Sequence, residues 1–338
     1  MTELVRSIDY HAAGEPFRIV ADPPVRLPGD SVADRRANAA DNPAVNRLRQ
    51  LLCYEPRGHA DMYGCFIVPA DDDEANFGVL FWHKDGFSTA CGHGTIALGA
   101  WAVETGRVTP AANGLTDVVI DVPSGRVTAR VHTQDERVTA VDFRNVASYV
   151  IAESVPVTTS RGEVAVTISF GGAIYAIVDA RALGLNVTPE HLTELIALGR
   201  AIKLALADTS YAMHQPDPRL GGIYGTIFFE NLGRDESGNL LQRNVTVFAD
   251  GEVDRSPCGS GTSARLAALD ASGQLEVAQG LTHESIVGTS FTARILDRLT
   301  IHGRDAIIPQ VTGMAYKTGE HSFWVDPHDP VTPGFVLR

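Results

Sequence analysis

The chain has 338 residues, 44% hydrophobic and 20% charged, the profile of a globular protein long enough for two domains of about 150 residues each. Its 28 Lys and Arg face 41 Asp and Glu, a formal charge of −13 with no basic block. That balance disfavours nucleic acid and anionic membrane surfaces as partners, because phosphate contacts need positive charge. No apolar run approaches the roughly 20 residues that span a bilayer. The opening MTELVRSIDYH lacks the basic-then-apolar layout of an export signal, so a cytoplasmic protein with free thiols is expected.

In chain order, Asp22–Asn42 is rich in Pro, Asp, Ala and Arg and reads as an irregular loop leading to a short helix near Pro43–Cys53. A helix follows Gly94, from Thr95 to about Thr105, stopped by Gly106. Short β-branched runs bounded by Gly, Pro and Asp then predict strands at Val118–Val122, Val127–His132, Val164–Phe170, Ile174–Val178, Tyr224–Phe229 and Val245–Ala249. A second helix runs from Thr262 to about Ala271, stopped by Gly273, with a further strand at Phe291–Ile295. Ile96, Leu98, Trp101 and Val103 in one helix, and Leu266, Ala267 and Leu269 in the other, leave almost no polar face; such helices are buried.

One motif opens both helices. Cys91-Gly-His-Gly-Thr-Ile-Ala and Cys258-Gly-Ser-Gly-Thr-Ser-Ala share C-G-x-G-T-x-A, almost half the chain apart. Two copies imply two equivalent halves: 1–150 carrying Cys91 and 151–324 carrying Cys258, the boundary lying near Asn145–Ser154 and 325–338 packing back on the first half. The expected class is α+β, with strands wrapped about one buried helix in each pseudo-symmetric domain.

Cys53 and Cys65 sit among apolar neighbours and read as packing residues. There is no C-x-x-C pair, and the Cys91/His93 spacing does not suit zinc. A cysteine at a helix N-terminus meets unpaired N–H groups and the positive end of the macrodipole, which lower its pKa toward the thiolate. The following Gly-x-Gly leaves those amides open to a carboxylate. A pair of such sites suits one chemistry in particular: a thiolate removes a Cα proton from one face, a thiol returns one from the other, and the helix ends hold the carboxylate as charge develops on it.

Further motifs run almost end to end: His11-Ala-Ala-Gly-Glu-Pro16, Glu55-Pro-Arg-Gly-His59, Asp61-Met-Tyr-Gly64, Cys91-Gly-His-Gly94, Asp254-Arg-Ser-Pro-Cys-Gly-Ser-Gly-Thr262, Glu284-Ser-Ile-Val-Gly288 and the closing Asp329-Pro with Gly-Phe335. Through them the chain resembles the proline racemase family, which includes hydroxyproline 2-epimerases and trans-3-hydroxyproline dehydratases. The resemblance implies a diaminopimelate epimerase-like fold, each domain a β-barrel around a central helix, with the active site between them. It also implies Cys91 and Cys258 as the catalytic acid/base pair, and His93 and Asp254 as the residues that hold the ring nitrogen. The backbone of Gly92, His93, Gly259 and Ser260 would bind the carboxylate, and no metal, pyridoxal phosphate or other cofactor is implied.

Tyr63, Tyr175 and Tyr224 are candidates for lining the ring pocket. Arg57 and His59 either support the cleft or form structural pairs, and Glu15 and Arg18 fix the first strands. His214, His283 and His302 read as packing or surface residues. The expected function is a cofactor-independent two-thiol racemase or 2-epimerase inverting Cα of free proline or hydroxyproline. One alternative is a trans-3-hydroxy-L-proline dehydratase: Asp61-Met-Tyr-Gly, Gly171-Gly-Ala-Ile-Tyr-Ala and Tyr224-Gly-Thr-Ile look like that branch. Its members, however, typically carry Thr where this chain has Cys258. A second alternative, an inactive binder of proline-type amino acids, sits poorly with both thiols being kept. A homodimer is the default expectation for assembly.

Overall fold

The computed structural model describes residues 3–275 and 279–337. The chain divides into two compact units, one of Met1–Ala90, Gly94–Val141 and Met314–Arg338, the other of Cys91–His93 and Asp142–Gly313. The division therefore falls at Val141/Asp142 rather than 150/151, and the returning segment starts at Met314 rather than 325. Cys91–His93 group with the second unit, although the helix they open continues in the first.

In the first unit, β1 (Glu3–Ala12) and β2 (Glu15–Val20) form a hairpin. Two helices follow. α1 (Val32–Asp41) lies inside the stretch expected to be irregular; the Ser31 hydroxyl accepts from the Asp34 amide at 3.1 Å, an N-cap that the Ser31-x-x-Asp34 spacing encodes. α2 (Pro43–Cys53) is capped by Asn42, with Pro43 as its first residue. Next come β3 (Gly64–Val68), β4 (Phe77–His83), β5 (Gly86–Phe87), α3 (Gly92–Glu104), β6 (Leu115–Val122), β7 (Gly125–Gln134) and β8 (Arg137–Arg144). On β7, Val127, Ala129 and Val131 turn inward, and a Cβ on Gly99 of α3 would meet Ala129 at 2.7 Å and Val131 at 3.2 Å. The helix thus lies against the inner face of the sheet, buried on all sides up to Val103.

The second unit holds β9 (Ser148–Thr159), β10 (Gly162–Phe170), β11 (Ile174–Asp179), α4 (Leu192–Leu206), β12 (Ile223–Arg234), β13 (Leu240–Phe248) and β14 (Glu252–Asp254). It continues with α5 (Gly259–Ala271), β15 (Leu281–Ser285), β16 (Ser290–Ile301) and β17 (Arg304–Gly313); β18 (Ala315–Val325) returns to the first unit. The order β9-β10-β11-β12-β13-β15-β16-β17 closes on itself, because β17 pairs back with β9. Closure removes the edge strands, and α5 fills the interior against β9, β10, β11, β16 and β17. Leu266 and Leu269 are wholly buried there, each contributing about 1.5–3 kcal/mol of burial free energy. α4 packs outside, against β12 and β13, through Leu195, Leu198, Ile202 and Leu206.

Both units use one plan. In the first, β18-β1-β2-β3-β4-β6-β7 pair antiparallel, antiparallel, parallel, antiparallel, parallel, antiparallel; from β9 the second unit runs through the same succession. The chain is thus a mixed α/β protein with a β-barrel. No helix among the described residues is long and apolar enough to cross a membrane.

Candidate active site

The second unit brings Cys91, Gly92, His93, Asp254, Cys258, Gly259, Ser260 and Tyr175 into one buried group. Asp254 ends β14, held in register opposite Thr246 of β13. From there the chain turns sharply. Asp254 Oδ1 accepts from the Ser256 amide at 2.8 Å and from its hydroxyl at 2.7 Å, and the Ser256 hydroxyl in turn accepts from the Cys258 amide at 3.0 Å. The Pro257 carbonyl accepts from Thr262 Oγ1 at 3.0 Å and from Asn244 Nδ2 at 3.1 Å. These bonds hold Cys258 at φ +61°, ψ 103°, a conformation that costs a non-glycine residue of order 1–3 kcal/mol. Asn244 and Thr246 carry no local signal in the sequence, while Ser256 and Thr262 stand there only as members of a motif, with no role read for their side chains.

At the start of α3, Gly92 meets Gly259 backbone to backbone. A Cβ on Gly92 would lie 2.5 Å from Gly259 Cα and 2.6 Å from the Ser260 nitrogen; one on Gly259 would lie 2.6 Å from Gly92 Cα. Only glycine permits this approach. It sets the first turns of two helices side by side, and amides at a helix start favour an anion.

His93, 4% exposed, places both ring nitrogens 3.5 Å from Cys91 Sγ and Nδ1 3.8 Å from Asp254 Oδ2. Burial lowers its pKa, against the opposing pull of Asp254, so the ring is neutral at pH 7. Cys258 departs from expectation. Burial and the Asp254 carboxylate push its thiol pKa well up, outweighing donors at Gly261, Tyr175 and Thr246. Helix position alone predicts the reverse; desolvation of the charge wins because the sulfur is 5% exposed. Cys258 is accordingly a protonated thiol at neutral pH. Tyr175 sets its hydroxyl 3.7 Å from Cys258 Sγ and 2.7 Å from Ser260 Oγ.

The remaining tyrosines differ. Tyr224 meets Tyr175 edge to face at 5.6 Å and stacks on Phe248. Tyr63 belongs to the first unit, where its hydroxyl bonds Ser88 and its ring lies beside Phe17 and His83. Arg18 and Arg57 pair with Asp9 at 2.8 Å and Asp329 at 3.5 Å, and Glu15 is buried in the first unit. The His59 ring accepts from the Asp61 amide. His283 packs wholly inside the barrel, 2.9 Å from Thr262 Oγ1; His214 lies against Phe170, and His302 occupies the exposed β16–β17 turn. Cys53 and Cys65 are buried in the first unit.

A sequence profile described as proline racemase matches residues 7–336. The chain is 40% identical over 337 residues to a trans-3-hydroxy-L-proline dehydratase of Bacillus cereus, covering 100% of this chain and 99% of the relative. It is 42% identical over 334 residues to a 3-hydroxyproline 2-epimerase of Burkholderia multivorans, covering 98% of each. Among solved structures, a hydroxyproline epimerase from Agrobacterium vitis with bound trans-4-hydroxy-L-proline superimposes with a TM-score of 0.91 at 30% identity, over 99% of this chain and 96% of that one.

Proposed function

Because the chain belongs to the proline racemase family, an enzyme family, we propose that it is a cofactor-independent 2-epimerase of free 3-hydroxyproline, with Cys91 and Cys258 as its two bases. The observation that supports this reading is the backbone-to-backbone meeting of two cysteine-bearing helix starts at Gly92 and Gly259. The substrate carboxylate takes the amides of Gly92, His93, Gly259 and Ser260. Its secondary ammonium faces the Asp254 carboxylate, a charge-assisted pair, and neutral His93 accepts a second N–H.

With the substrate so held, one sulfur acts as thiolate and takes the Cα proton. The S–H bond forms as Cα–H breaks, and the electron pair spreads into the carboxylate, where the helix amides stabilise it. The opposite thiol delivers its proton to the other face, leaving the pair of sulfurs with their charges exchanged. Inversion of one of two stereocentres turns trans-3-hydroxy-L-proline into cis-3-hydroxy-D-proline. The upward shift at Cys258 fits it as the protonated member of the pair when substrate arrives.

The Bacillus cereus relative supports a second reading, dehydration. That reaction needs one base for the Cα proton and departure of the 3-hydroxyl, and leaves the second thiol without a task. Incubation with trans-3-hydroxy-L-proline in D2O, followed by NMR, separates the two. Epimerisation gives the cis epimer carrying deuterium at Cα, rising to a plateau. Exclusive formation of pyrroline-2-carboxylate would make the protein a dehydratase, and no change on proline or any hydroxyproline would make it a binder.

A further inference from the structure

The Cys258 sulfur is surrounded by donors to which the proton transfers above give no task. Tyr175 on β11, wholly buried, offers its hydroxyl at 3.7 Å. Thr246 on β13, equally buried, has a hydroxyl with no hydrogen-bond partner among the described residues, and as a donor it pulls the Cys258 pKa down. The Gly261 amide also donates, and the sulfur lies so close over this residue that a Cβ there would stand 2.9 Å from Sγ. A buried thiol needs no such company, since sulfur in S–H is a weak acceptor. A buried thiolate does, because a charge taken out of water is costly unless donors face it. Cys91 has a different neighbour, the His93 ring.

We propose that Tyr175 and Thr246 are positioning residues for Cys258, whose hydroxyls turn to the sulfur while it is the thiolate and hold it aimed at Cα. The inference rests on the two-thiol reading above and says how one of its two sulfurs is kept ready. Tyr175 has an alternative partner, Ser260 Oγ at 2.7 Å, to which its hydroxyl turns once the sulfur carries a proton. No atom is gained or lost in that exchange, only the direction of two O–H bonds. The titratable groups that act on the sulfur are Asp254 from β14, which also faces His93 at 3.8 Å, and Tyr175 from β11. Asp254 opposes the thiolate, which gives the hydroxyl donors their importance.

Alkylation tests this, because the thiolate is the nucleophile. The intact protein is treated with iodoacetamide across a pH series, and modification of Cys91 and Cys258 is followed separately by peptide mass spectrometry. In Tyr175→Phe and in Thr246→Val, Cys258 should react about tenfold more slowly near neutral pH, its half-point moved up by about one pH unit. The Cys91 curve should stay where it is, and Thr246→Ser, which restores a hydroxyl, should return Cys258 to the wild-type curve. An unmoved Cys258 curve in both variants overturns the proposal. So does an equal shift at both cysteines, which marks general loosening of the site. Should Thr246→Val not fold by circular dichroism, Tyr175→Phe decides alone. The readout is thiol chemistry and not turnover, so its failure leaves the epimerase reading to be judged by the hydroxyproline assay.

Discussion

Serine in place of either thiol of the proposed pair keeps the shape and removes an acid suited to neutral pH. Cys91→Ser and Cys258→Ser should each lower epimerisation at least ~10²-fold, the lower end for loss of a general acid–base group. Near-wild-type turnover in Cys258→Ser, measured by polarimetry, would discard the two-base mechanism. His283 makes a separate prediction about stability. Wholly buried, its pKa falls from 6.5 to about 3, through burial first and the nearby Arg265 charge second. Between those values the unfolded chain binds a proton that the folded one refuses. The folded state therefore loses stability as pH drops from 6.5 toward 3, by at most about 1.4 kcal/mol per pH unit, while above 6.5 the contribution is complete. Urea denaturation of His283→Gln at several pH values should show a shallower acid-side slope than the wild type. An unchanged slope would mean that His283 protonates inside the fold.

Among the elements, the two helix starts carry the site, and their contact leaves no room for a methyl group. Gly92→Ala would press Cβ onto the Gly259 backbone, which cannot move aside as a flexible side chain can. Misplacing the amides proposed to hold the carboxylate by about 1 Å should lower kcat/KM on the order of 10²-fold, with the melting temperature showing whether the fold survives. These helices were legible because an apolar all-round segment behind C-G-x-G-T is a local pattern, and Gly106 and Gly273, at φ +70° and +67°, ended them where expected. Each starts three residues before the predicted Thr95 and Thr262, since the glycines and the His or Ser between them already belong to the first turn. α1 escaped notice under its Arg, Asn and Asp content, although Ser31-x-x-Asp34 marks its start. α4 carries its apolar stripe at Leu195, Leu198, Ile202 and Leu206, spaced by three and four residues as on one helix face. The hydroxyls around Cys258 come from β11 and β13, far apart in sequence and joined only through β12. No local pattern could announce them.

At the scale of the molecule, the repeat is one strand out of phase with the chain. β18 holds in the first sheet the place that β9 holds in the second, next to β1 as β9 is next to β10. β9 and β10 are joined by a short turn at Ser160 and Arg161, whereas β18 and β1 meet with Val325 opposite Glu3 and no direct link between them. The break between β17 and β18 is only Met314. Circular permutation should therefore be tolerated: a chain reopened at Met314 and closed by a linker back to Glu3 keeps every strand neighbour and makes the first unit's outer strand continuous with the strand it flanks. Circular dichroism and the epimerase assay on such a permutant would measure this, with folding and activity both retained. The duplicated ancestor that the matched strand order suggests would have read in that permuted frame, each copy starting with its own hairpin and ending on its own last strand.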